Sequence, residues 1–336
     1  MREPAFWRTD GGRGSGALAR ALLTPLGWLY AWAGARRIRT TTPHPAPVPV
    51  ICVGNLTVGG VGKTPVSQTL LARLAAFGHT PAALSRGYGG RLKGPVEVDV
   101  AQHTAAEVGD EPLLLARSAR AWISRERPSG AEAAAAAGCD VIVMDDGHQN
   151  PTLEKSLSIV VVDNATGWGP GPVFPAGPLR EPVDTGLARA DAVIVMTRDR
   201  DTIPDYHRLR LDALEIPVFH AWLSPSAPPP EGKLLAFAGI GRPQKFFDAL
   251  VAGGGQLAET ATFPDHHPYS ATDLDRLFSL AGHHAARLIT TEKDWVRLPE
   301  SARERILAWP VRAEFANPAA LDGLLRDVMD GTARDG

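Results

Sequence analysis

The sequence predicts an α/β fold in which a mostly parallel sheet is covered by helices and is followed by a second, smaller α/β domain. The first observation is that strand-like and helix-like stretches alternate along the chain. The second is that several strands, such as 158–163 (SIVVVD) and 191–197 (DAVIVMT), are apolar throughout, which is typical of strands buried on both faces of a parallel sheet. The third is a Pro-rich break at 224–233, after which a new apolar strand begins.

Composition limits the class of protein. The 336 residues carry a formal net charge of −2, and 44% of them are hydrophobic. These values fit a folded protein with a substantial core and give no support to nucleic acid as a partner. Cys52 and Cys139 fall in or beside predicted strands, which predicts buried thiols in a reducing compartment. We expect an N-terminal hydrophobic and basic helix at 1–40, a larger α/β domain at 41–223, a linker at 224–233, a smaller α/β domain at 234–328 and a frayed tail at 329–336.

The N-terminal segment 17–34 (ALARALLTPLGWLYAWAG) is apolar and flanked by arginines. No small-residue cleavage site follows it, which argues against a signal peptide, and the stretch is short of the roughly 20 apolar residues that a membrane span needs. Pro25 predicts a kink or a break. We expect a helix that lies on the inner face of a membrane; a helix packed on the domain is the alternative. The residues concerned are Arg8, Arg13, Arg36, Arg37 and Arg39 in the flanks, and Leu18, Leu22, Leu26, Leu29, Trp28, Tyr30 and Trp32 in the apolar segment.

The larger domain is organised around residues 48–64, which read as a buried strand, a glycine-rich loop and the first turn of a helix. The loop glycines allow backbone N–H groups to approach an anion without a Cβ in the way. Lys63 adds a positive charge, Thr64 adds a hydroxyl suited to magnesium, and the helix adds its positive end. The spacing is that of a P-loop, although Thr57 stands where the first glycine is expected. The pattern therefore predicts a site for the phosphates of a nucleoside triphosphate. The glycines are Gly59, Gly60 and Gly62.

Two polar turns come next along the chain. The predicted strand at 81–85 leads into an SRGYGG turn that carries Arg86 and Tyr88, and a later GDEP turn places Asp110 and Glu111 at the start of a helix. Acidic residues in a first turn often only complement the helix dipole. Local sequence alone therefore leaves Asp110 as either a helix-capping charge or a functional carboxylate.

A second strong signal is the apolar strand at 140–147 (DVIVMDDG), which ends in Asp145 and Asp146. A carboxylate at the carboxyl end of a buried strand can hold magnesium directly or through water. Adjacent aspartates cost electrostatic free energy unless a cation compensates them, so a magnesium site is predicted, with loop-capping aspartates as the alternative. The later segment 167–184 is too rich in Pro and Gly for regular structure, and long ordered loops are often functional. Arg180 and Glu181 are its charged centre.

The smaller domain begins with an apolar strand at 234–240, followed by a glycine-rich turn and a helix. Its FPDHHPY segment at 263–269 places an aspartate and two histidines in one turn between two prolines. That turn is either a shaped functional loop or an ordinary surface turn. A further strand, 286–295 (ARLITTEKDW), ends in a polar cluster that contains Lys293 and Asp294.

Taken together, these motifs resemble the tetraacyldisaccharide 4′-kinases, the lipid A kinases of Gram-negative bacteria. The motifs that carry the resemblance are, in chain order, GNLTVGGVGKTP, SRGYGG, GDEP, DDGHQ, PAGPLREP, AFAGIGRPQKFF, FPDHHPY and TEKDWVRL. The glycine-rich loop alone indicates only nucleotide binding, whereas the ordered set covers most of the chain. Thr57 agrees with this family, whose loop resembles GNLSVGGTGKT. One departure is Asn150, since the family run D-D-G-x-Q-H has histidine there, and the role of that histidine is not carried over.

The resemblance implies transfer of a phosphoryl group from ATP to the 4′-hydroxyl of a tetraacyl glucosamine disaccharide 1-phosphate, in lipid A biosynthesis. It implies ATP and Mg²⁺ as cofactors, a lipid-linked disaccharide as partner, and a location at the cytoplasmic face of the bacterial inner membrane, either peripheral or anchored by the N-terminal helix. The implied fold is a P-loop NTPase-type kinase domain with a smaller α/β domain, and the active site lies in the cleft between them.

The resemblance also implies roles for particular residues. Asp110 is the candidate base, paired with His266 across the cleft, and Lys63 completes the catalytic group. Arg86, Tyr88 and Gln149 are candidate contacts to the sugar or its 1-phosphate. The candidate nucleotide-binding residues are Thr57, Val58, Gly59, Gly60, Val61, Gly62, Lys63 and Thr64. The candidate metal ligands are Thr64, Asp145, Asp146 and Glu181.

Two other classes of protein share a P-loop. A kinase for a soluble substrate would use the N-terminal helix only for packing. A nucleotide-dependent switch of the GTPase type should carry an N-K-x-D motif, which the sequence lacks, since TEKD has its lysine in the wrong place. A switch of the metallochaperone type, the other form of this second class, should carry a Cys or His metal motif, and no such spacing occurs.

Overall fold

The structure is a computed structural model that describes residues 4–7 and 16–331; Arg8, Arg13 and residues 332–336 of the predicted tail lie outside it. Among the described residues, the strands form one nine-stranded and one four-stranded sheet. The strands are β1 Val50–Gly54, β2 Pro81–Ser85, β3 Val96–Glu97, β4 Arg120–Ile123, β5 Val141–Asp145, β6 Leu157–Asp163, β7 Ala192–Thr197, β8 Val218–Pro225, β9 Lys233–Ala238, β10 Gln256–Thr262, β11 Arg287–Thr291, β12 Ile306–Trp309 and β13 Val311–Phe315.

The helices cover these sheets. A short 3₁₀ helix, Ala5–Trp7, precedes the first α-helix. The α-helices are α1 Ala17–Thr40, α2 Lys63–Ala76, α3 Ala105–Val108, α4 Asp110–Ala116, α5 Arg127–Ala136, α6 Val183–Leu187, α7 Pro243–Ala252, α8 Ala271–His284, α9 Glu292–Trp295, α10 Glu300–Arg303 and α11 Pro318–Met329.

The larger sheet has the strand order β13-β8-β7-β6-β1-β5-β2-β4-β3. The seven inner strands run parallel, and β3 and β13 pair antiparallel at the two edges. The prediction of a mostly parallel sheet covered by helices is confirmed. Because the carboxyl ends of parallel strands share one edge, the loops after β1, β2, β5 and β6 meet there. Strand β1 lies between β5 and β6, so the glycine-rich loop opens at the middle of that edge.

The smaller sheet, β10-β9-β11-β12, is also parallel. The chain then returns to the larger sheet, where β13 pairs with β8 and Arg73 of α2 forms an ion pair with Asp322 of α11. Sheet membership therefore does not follow the predicted boundary at 328, because residues from Val311 onwards belong with the larger sheet. The sequence does not predict that the chain returns to the larger sheet, because β13 and α11 have ordinary strand and helix patterns that do not show which sheet they join.

Helix α2 holds the glycine-rich loop against the core. Its apolar side chains are fully buried and pack between the sheet and α11. Burying an aliphatic side chain of this size contributes about 1.5–3 kcal/mol, so the helix that begins at Lys63 is firmly fixed. The side chains in question are Val66, Leu70, Leu71 and Leu74.

Helix α1 is one continuous 24-residue helix with Pro25 inside it, so of the predicted kink or break at this proline, the break does not occur. The turn that contains Pro25 sits against the Pro- and Gly-rich loop, where a Cβ on Gly27 would lie 2.9 Å from Val173 O. Most of its large apolar side chains face outward, and Leu22 is 70% exposed. No helix among the described residues has the length and hydropathy of a membrane span.

One local expectation also differs from the structure. The stretch at 286–295 is strand only as far as Thr291, because the Thr291 side chain accepts a hydrogen bond from Asp294 N and caps the one-turn helix α9. This helix turns the polar cluster toward the larger sheet.

Candidate active site

The glycine-rich loop, residues 57–62, joins β1 to α2. Gly62 is the residue before the helix and has a φ of +93°, a left-handed conformation that favours glycine. The Cβ positions of Gly59 and Gly60 face open space. The N–H of Val58 donates to Pro178 O at 2.7 Å, so this backbone group already has a partner within the protein. The loop therefore offers the N–H groups of its glycines at the positive end of a helix, which suits an anion.

Lys63 links this loop to the paired carboxylates after β5. Its Nζ is 3.0 Å from Asn55 Oδ1 and 3.4 Å from Asp146 Oδ1. Arg180 forms a two-pronged contact with the same carboxylate, at 2.9 Å and 3.1 Å from its oxygens. Burial opposes ionisation of Asp146, but Lys63 and Arg180 outweigh it and lower the pKa of Asp146.

Asp145 has a different environment although it is the next residue. Its oxygens accept hydrogen bonds from Ser67 Oγ at 3.0 Å and Thr64 Oγ1 at 3.4 Å. Burial, together with the negative charge of Glu111, raises the pKa of Asp145 to about 7 despite the opposing effect of Lys63. A divalent cation would stabilise the ionised form of a buried carboxylate whose pKa is raised. The hydroxyl oxygen of Thr64, beside Asp145, is a second oxygen ligand for such a cation.

Glu181 is buried and is paired with Arg189, whose Nη2 lies 2.8 Å from both of its oxygens. Gln149 donates from Nε2 to Glu181 at 3.0 Å and to Asn55 O at 2.9 Å. The structure therefore brings Glu181 and Gln149 into one network with the start of the glycine-rich loop. No cluster of three His, Cys, Asp or Glu side chains that could hold a metal occurs in the described part of the chain, and Mg²⁺ sites often use only one or two carboxylates.

The SRGYGG and GDEP turns pack directly on each other. A Cβ on Gly109 would lie 2.5 Å from Tyr88 O, and a Cβ on Gly90 would lie 2.6 Å from Glu107 O. Only glycine permits this contact, which places the start of α4 beside the exposed side chains of Arg86 and Tyr88.

Arg127, at the start of α5, is close enough to Arg86 for the two positive charges to interact. Burial, and then the charge of Arg86, lower the pKa of Arg127 to about 10. Its Nε is buried and has no hydrogen-bond partner. An arginine in the first turn of a helix has no distinctive sequence pattern, so the sequence gives no sign of this environment of Arg127.

Asp110 is the buried first residue of α4, and it faces the smaller sheet. His266 Nδ1 lies 3.1 Å from Asp110 Oδ2, and Arg297 Nε lies 3.0 Å from the same oxygen. Burial opposes ionisation of Asp110, but the hydrogen bond from His266 and the charges of Lys293 and Arg297 hold its pKa well below the ordinary value. His266 itself has a φ of +58°, an uncommon conformation for a residue with a Cβ, and its N–H donates to Gly239 O.

Arg297 belongs to the TEKDWVRL motif, but no local pattern in the sequence pairs it with Asp110, which is 187 residues away in the chain. His148 and Asn150, in the departure from the family pattern, have structural contacts. His148 is held between Ser158 Oγ and Gly186 O, each at 2.9 Å, and burial lowers its pKa to about 3. Asn150 Oδ1 accepts from the N–H and hydroxyl of Thr152 at 2.9 Å, within its own turn.

The parallel sheet, the glycine-rich loop followed by Lys63 and the paired carboxylates at the carboxyl end of β5 together define a nucleotide-binding α/β protein, the class to which many kinases belong. A family model described as tetraacyldisaccharide-1-P 4′-kinase (LpxK) matches residues 19–330. The chain belongs to this family.

Individual relatives agree with this membership. The chain is 68% identical to the tetraacyldisaccharide 4′-kinase of Maricaulis maris, over 98% of this chain and 97% of that one. It is 52% identical to the enzyme of the same name from Hyphomonas neptunium, over 98% of each chain. Among solved structures, it is similar to the "apo" form LpxK of Aquifex aeolicus in complex with ATP, with a TM-score of 0.74, 26% identity, and coverage of 93% of this chain and 99% of that one.

Proposed function

We propose that this chain transfers the γ-phosphoryl group of ATP to the 4′-hydroxyl of a tetraacyl glucosamine disaccharide 1-phosphate, a step of lipid A biosynthesis. The family membership supports the reaction. The observation that carries the assignment of the site is the 3.4 Å distance between Thr64 Oγ1 and Asp145 Oδ2, because it joins the helix after the glycine-rich loop to the paired carboxylates. Phosphoryl transfer needs bound phosphates, a divalent cation and an oriented hydroxyl in one place.

In this proposal residues 57–64 are a P-loop. The N–H groups of Gly59, Gly60 and Gly62 bind phosphate oxygens, and the N-terminus of α2 adds its positive dipole. Lys63, which in the structure contacts Asn55 and Asp146, binds the β and γ phosphates. The remaining residues, which shape the loop, are Thr57, Val58 and Val61.

Mg²⁺ fits the oxygen donors beside the loop. Thr64 and Asp145 would hold the cation, and the raised pKa of Asp145 supports this assignment because a cation would offset the cost of its burial. Asp146 and Glu181 would act from the outer shell, since Arg180 and Arg189 occupy their oxygens. When bound, the cation neutralises charge that develops on the phosphates.

Asp110 accepts the proton of the acceptor hydroxyl. As the sugar oxygen forms its bond to the γ-phosphorus, the bond from phosphorus to the bridging oxygen breaks and its electron pair leaves with ADP. Because the transition state of phosphoryl transfer is loose, the proton is released late and a carboxylate of low pKa can receive it. His266 orients Asp110 through Nδ1, and a positioned proton acceptor typically contributes 10²–10⁴-fold.

The acceptor would bind on the surface beside α4. Arg86 and Tyr88 are exposed there, next to Asp110, and the buried Arg127 adds a second positive charge near Arg86. An exposed guanidinium group, a second positive charge and an aromatic ring suit a phosphorylated sugar. Gln149 would act indirectly, since it ties Glu181 to the glycine-rich loop.

The N-terminal helix α1 would bring the enzyme to its lipid substrate at the cytoplasmic face of the inner membrane. Its outward side chains include Leu22, Trp28 and Leu29, which are 60–70% exposed. Arg37 and Arg39 lie in its last turn, where they can meet anionic headgroups. A kinase for a soluble substrate would have no use for so large an exposed apolar surface.

The direct test is incubation of the purified protein with labelled ATP, Mg²⁺ and the tetraacyl disaccharide 1-phosphate. We expect a new phosphorylated lipid that carries the label, and none when the acceptor lacks its 4′-hydroxyl. Labelled inorganic phosphate without phosphorylated lipid would contradict the proposal and indicate an ATPase or switch.

A further inference from the structure

Arg297 is fixed in the smaller sheet's domain by groups that leave it little freedom. Its Nη1 donates to Gly239 O at 2.9 Å and to Asp294 Oδ1 at 3.0 Å. Asp294 is fully buried and is itself held by the hydroxyls of Tyr269 and Thr291, at 2.9 Å and 2.7 Å. The guanidinium side chain is only 6% exposed. Its position is therefore set by the smaller domain.

The other edge of this guanidinium faces Asp110. Its Nε donates to Asp110 Oδ2 at 3.0 Å, and its Nη2 contacts the same oxygen. His266 Nδ1 lies 3.1 Å from that oxygen too. A carboxylate oxygen has about two lone-pair sites, so Oδ2 is saturated. The other oxygen, Oδ1, accepts one described hydrogen bond, from Glu111 N at 3.1 Å.

We propose that Arg297 is a positioning residue for the proton acceptor: together with His266 it saturates Asp110 Oδ2 and leaves Oδ1 to receive the proton of the acceptor hydroxyl. Asp110, His266 and Arg297 then act as a unit of three residues, and Asp294 holds Arg297 in place. The inference rests on the proposed function of Asp110. Because its side chain is only 6% exposed, Arg297 acts by setting the direction of the carboxylate and not through direct contact with nucleotide or acceptor.

Electrostatics gives this arrangement a measurable signature. The charged and titratable groups that face Asp110 are His266 from the FPDHHPY loop, Lys293 and Arg297 from the segment after β11, and Glu111 from its own helix. Asp265 and Asp294 in turn face His266 and Arg297. Loss of one hydrogen-bonded cation raises the pKa of a carboxylate by about 1–3 units. The acidic limb of the kcat/KM profile, which reports the free enzyme, should therefore move to higher pH.

The test compares Arg297→Gln with Arg297→Lys in the full-length enzyme. We expect Arg297→Gln to lower kcat by about 100-fold, with KM for ATP changed by no more than about threefold. In the wild type this limb lies below the ordinary carboxylate range, because the pKa of Asp110 is lowered. In Arg297→Gln it should move upward by at least about one pH unit, so the profile is measured from pH 3 to 9. Arg297→Lys keeps the charge and should keep the limb in place while it restores at least about tenfold of kcat.

Arg242→Gln is the matched control. Arg242 also joins the two sheets, because its Nη2 lies 2.8 Å from Asp163 Oδ2, but it does not contact Asp110 in the structure. We expect no shift of the acidic limb in this variant. An equal kcat loss and an equal limb shift in both variants would show that the effect comes from docking of the two sheets, and the inference would be overturned.

Two further outcomes separate the inference from the function on which it rests. An inactive Asp110→Asn variant combined with a wild-type pH profile in Arg297→Gln would reject only the role of Arg297. An active Asp110→Asn variant would reject Asp110 as the proton acceptor, and the role of Arg297 with it. ATP affinity, measured by calorimetry, establishes that each variant is folded. If Arg297→Gln does not fold, the pH profile of Arg297→Lys is the deciding measurement. A shift of its acidic limb would overturn the inference.

Discussion

His266 Nδ1 lies 3.1 Å from Asp110 Oδ2, although 156 residues separate the two in the chain. One residue is the first of α4 beside the larger sheet, and the other belongs to a loop of the smaller domain. The contact therefore exists only when the two sheets are docked.

Asp110→Asn should lower kcat by about 10²–10⁴-fold, because the amide cannot accept the proton of the acceptor hydroxyl. ATP affinity should stay close to wild type, since the described hydrogen bonds and ion pairs of Asp110 include none with residues 57–64. Steady-state kinetics and calorimetry measure the two quantities. The control is Asp265→Asn, whose carboxylate is 3.8 Å from His266 Nε2 and should matter far less. Normal turnover in Asp110→Asn would disprove the assigned base.

Lys63→Ala should reduce turnover by roughly 10³-fold or more, because the ammonium group is expected to neutralise charge on the transferred phosphoryl group. It should also weaken ATP binding, measured by calorimetry. Lys233→Ala, at the exposed start of β9, is the control and should bind and turn over ATP normally. If Lys63→Ala kept wild-type activity, residues 57–64 would not be the nucleotide site.

Asp163→Asn should destabilise the fold by about 1–3 kcal/mol at pH 7, the usual contribution of hydrogen bonds to a charged group. Burial opposes ionisation of Asp163, but Arg242 and Lys245 outweigh it and lower its pKa. A lowered pKa in the folded state gives stability that is present above the ordinary value of about 3.9 and is lost as the pH falls through the folded value.

The difference in free energy of unfolding between wild type and Asp163→Asn should therefore shrink below about pH 4. Urea denaturation at pH 3.5, 5 and 7 measures it. Asp212→Asn, at an exposed position, serves as the control and should change stability little at any pH. A difference that stays constant across this range would mean that the ion pair with Arg242 and Lys245 does not carry the effect.

Leu22→Glu combined with Leu29→Glu should reduce binding to anionic lipid vesicles by at least about 100-fold, because each buried leucine contributes about 1.5–3 kcal/mol. Sedimentation with vesicles measures this, and activity on a water-soluble acceptor should be unchanged. Ile203→Glu alters another exposed apolar side chain, 84% accessible and far from α1 in the sequence, and should not affect binding. Equal vesicle binding by all forms would refute the membrane role of the helix.

Much of the fold follows from local pattern. The apolar runs predicted the central strands, and Lys63 and Asp110 each begin a helix as expected, because helix starts and buried strands depend on residues close in sequence. The resemblance to the kinase family, drawn from eight ordered motifs, is confirmed by the family match over residues 19–330. Motifs of this kind can be recognised from the sequence alone because each is a short, continuous run of residues.

Other features could not be read from pattern. Pro25 lies inside an unbroken helix, and β13 returns to the larger sheet after the smaller one is complete. Arg180 and Arg189 pair with Asp146 and Glu181, which leaves Asp145 as the carboxylate whose burial is least compensated. Such facts depend on packing between segments that are far apart in the chain.

The sequence by itself determined the class of fold, the family and the residue types available for phosphoryl transfer, because these reside in short runs with their own periodicity and spacing. Tertiary structure alone decided which charges neutralise one another, above all that Arg297 and His266 share one oxygen of Asp110. The reason is physical: the pKa and direction of a carboxylate depend on groups within a few ångströms, and only the docking of the two sheets brings those groups together.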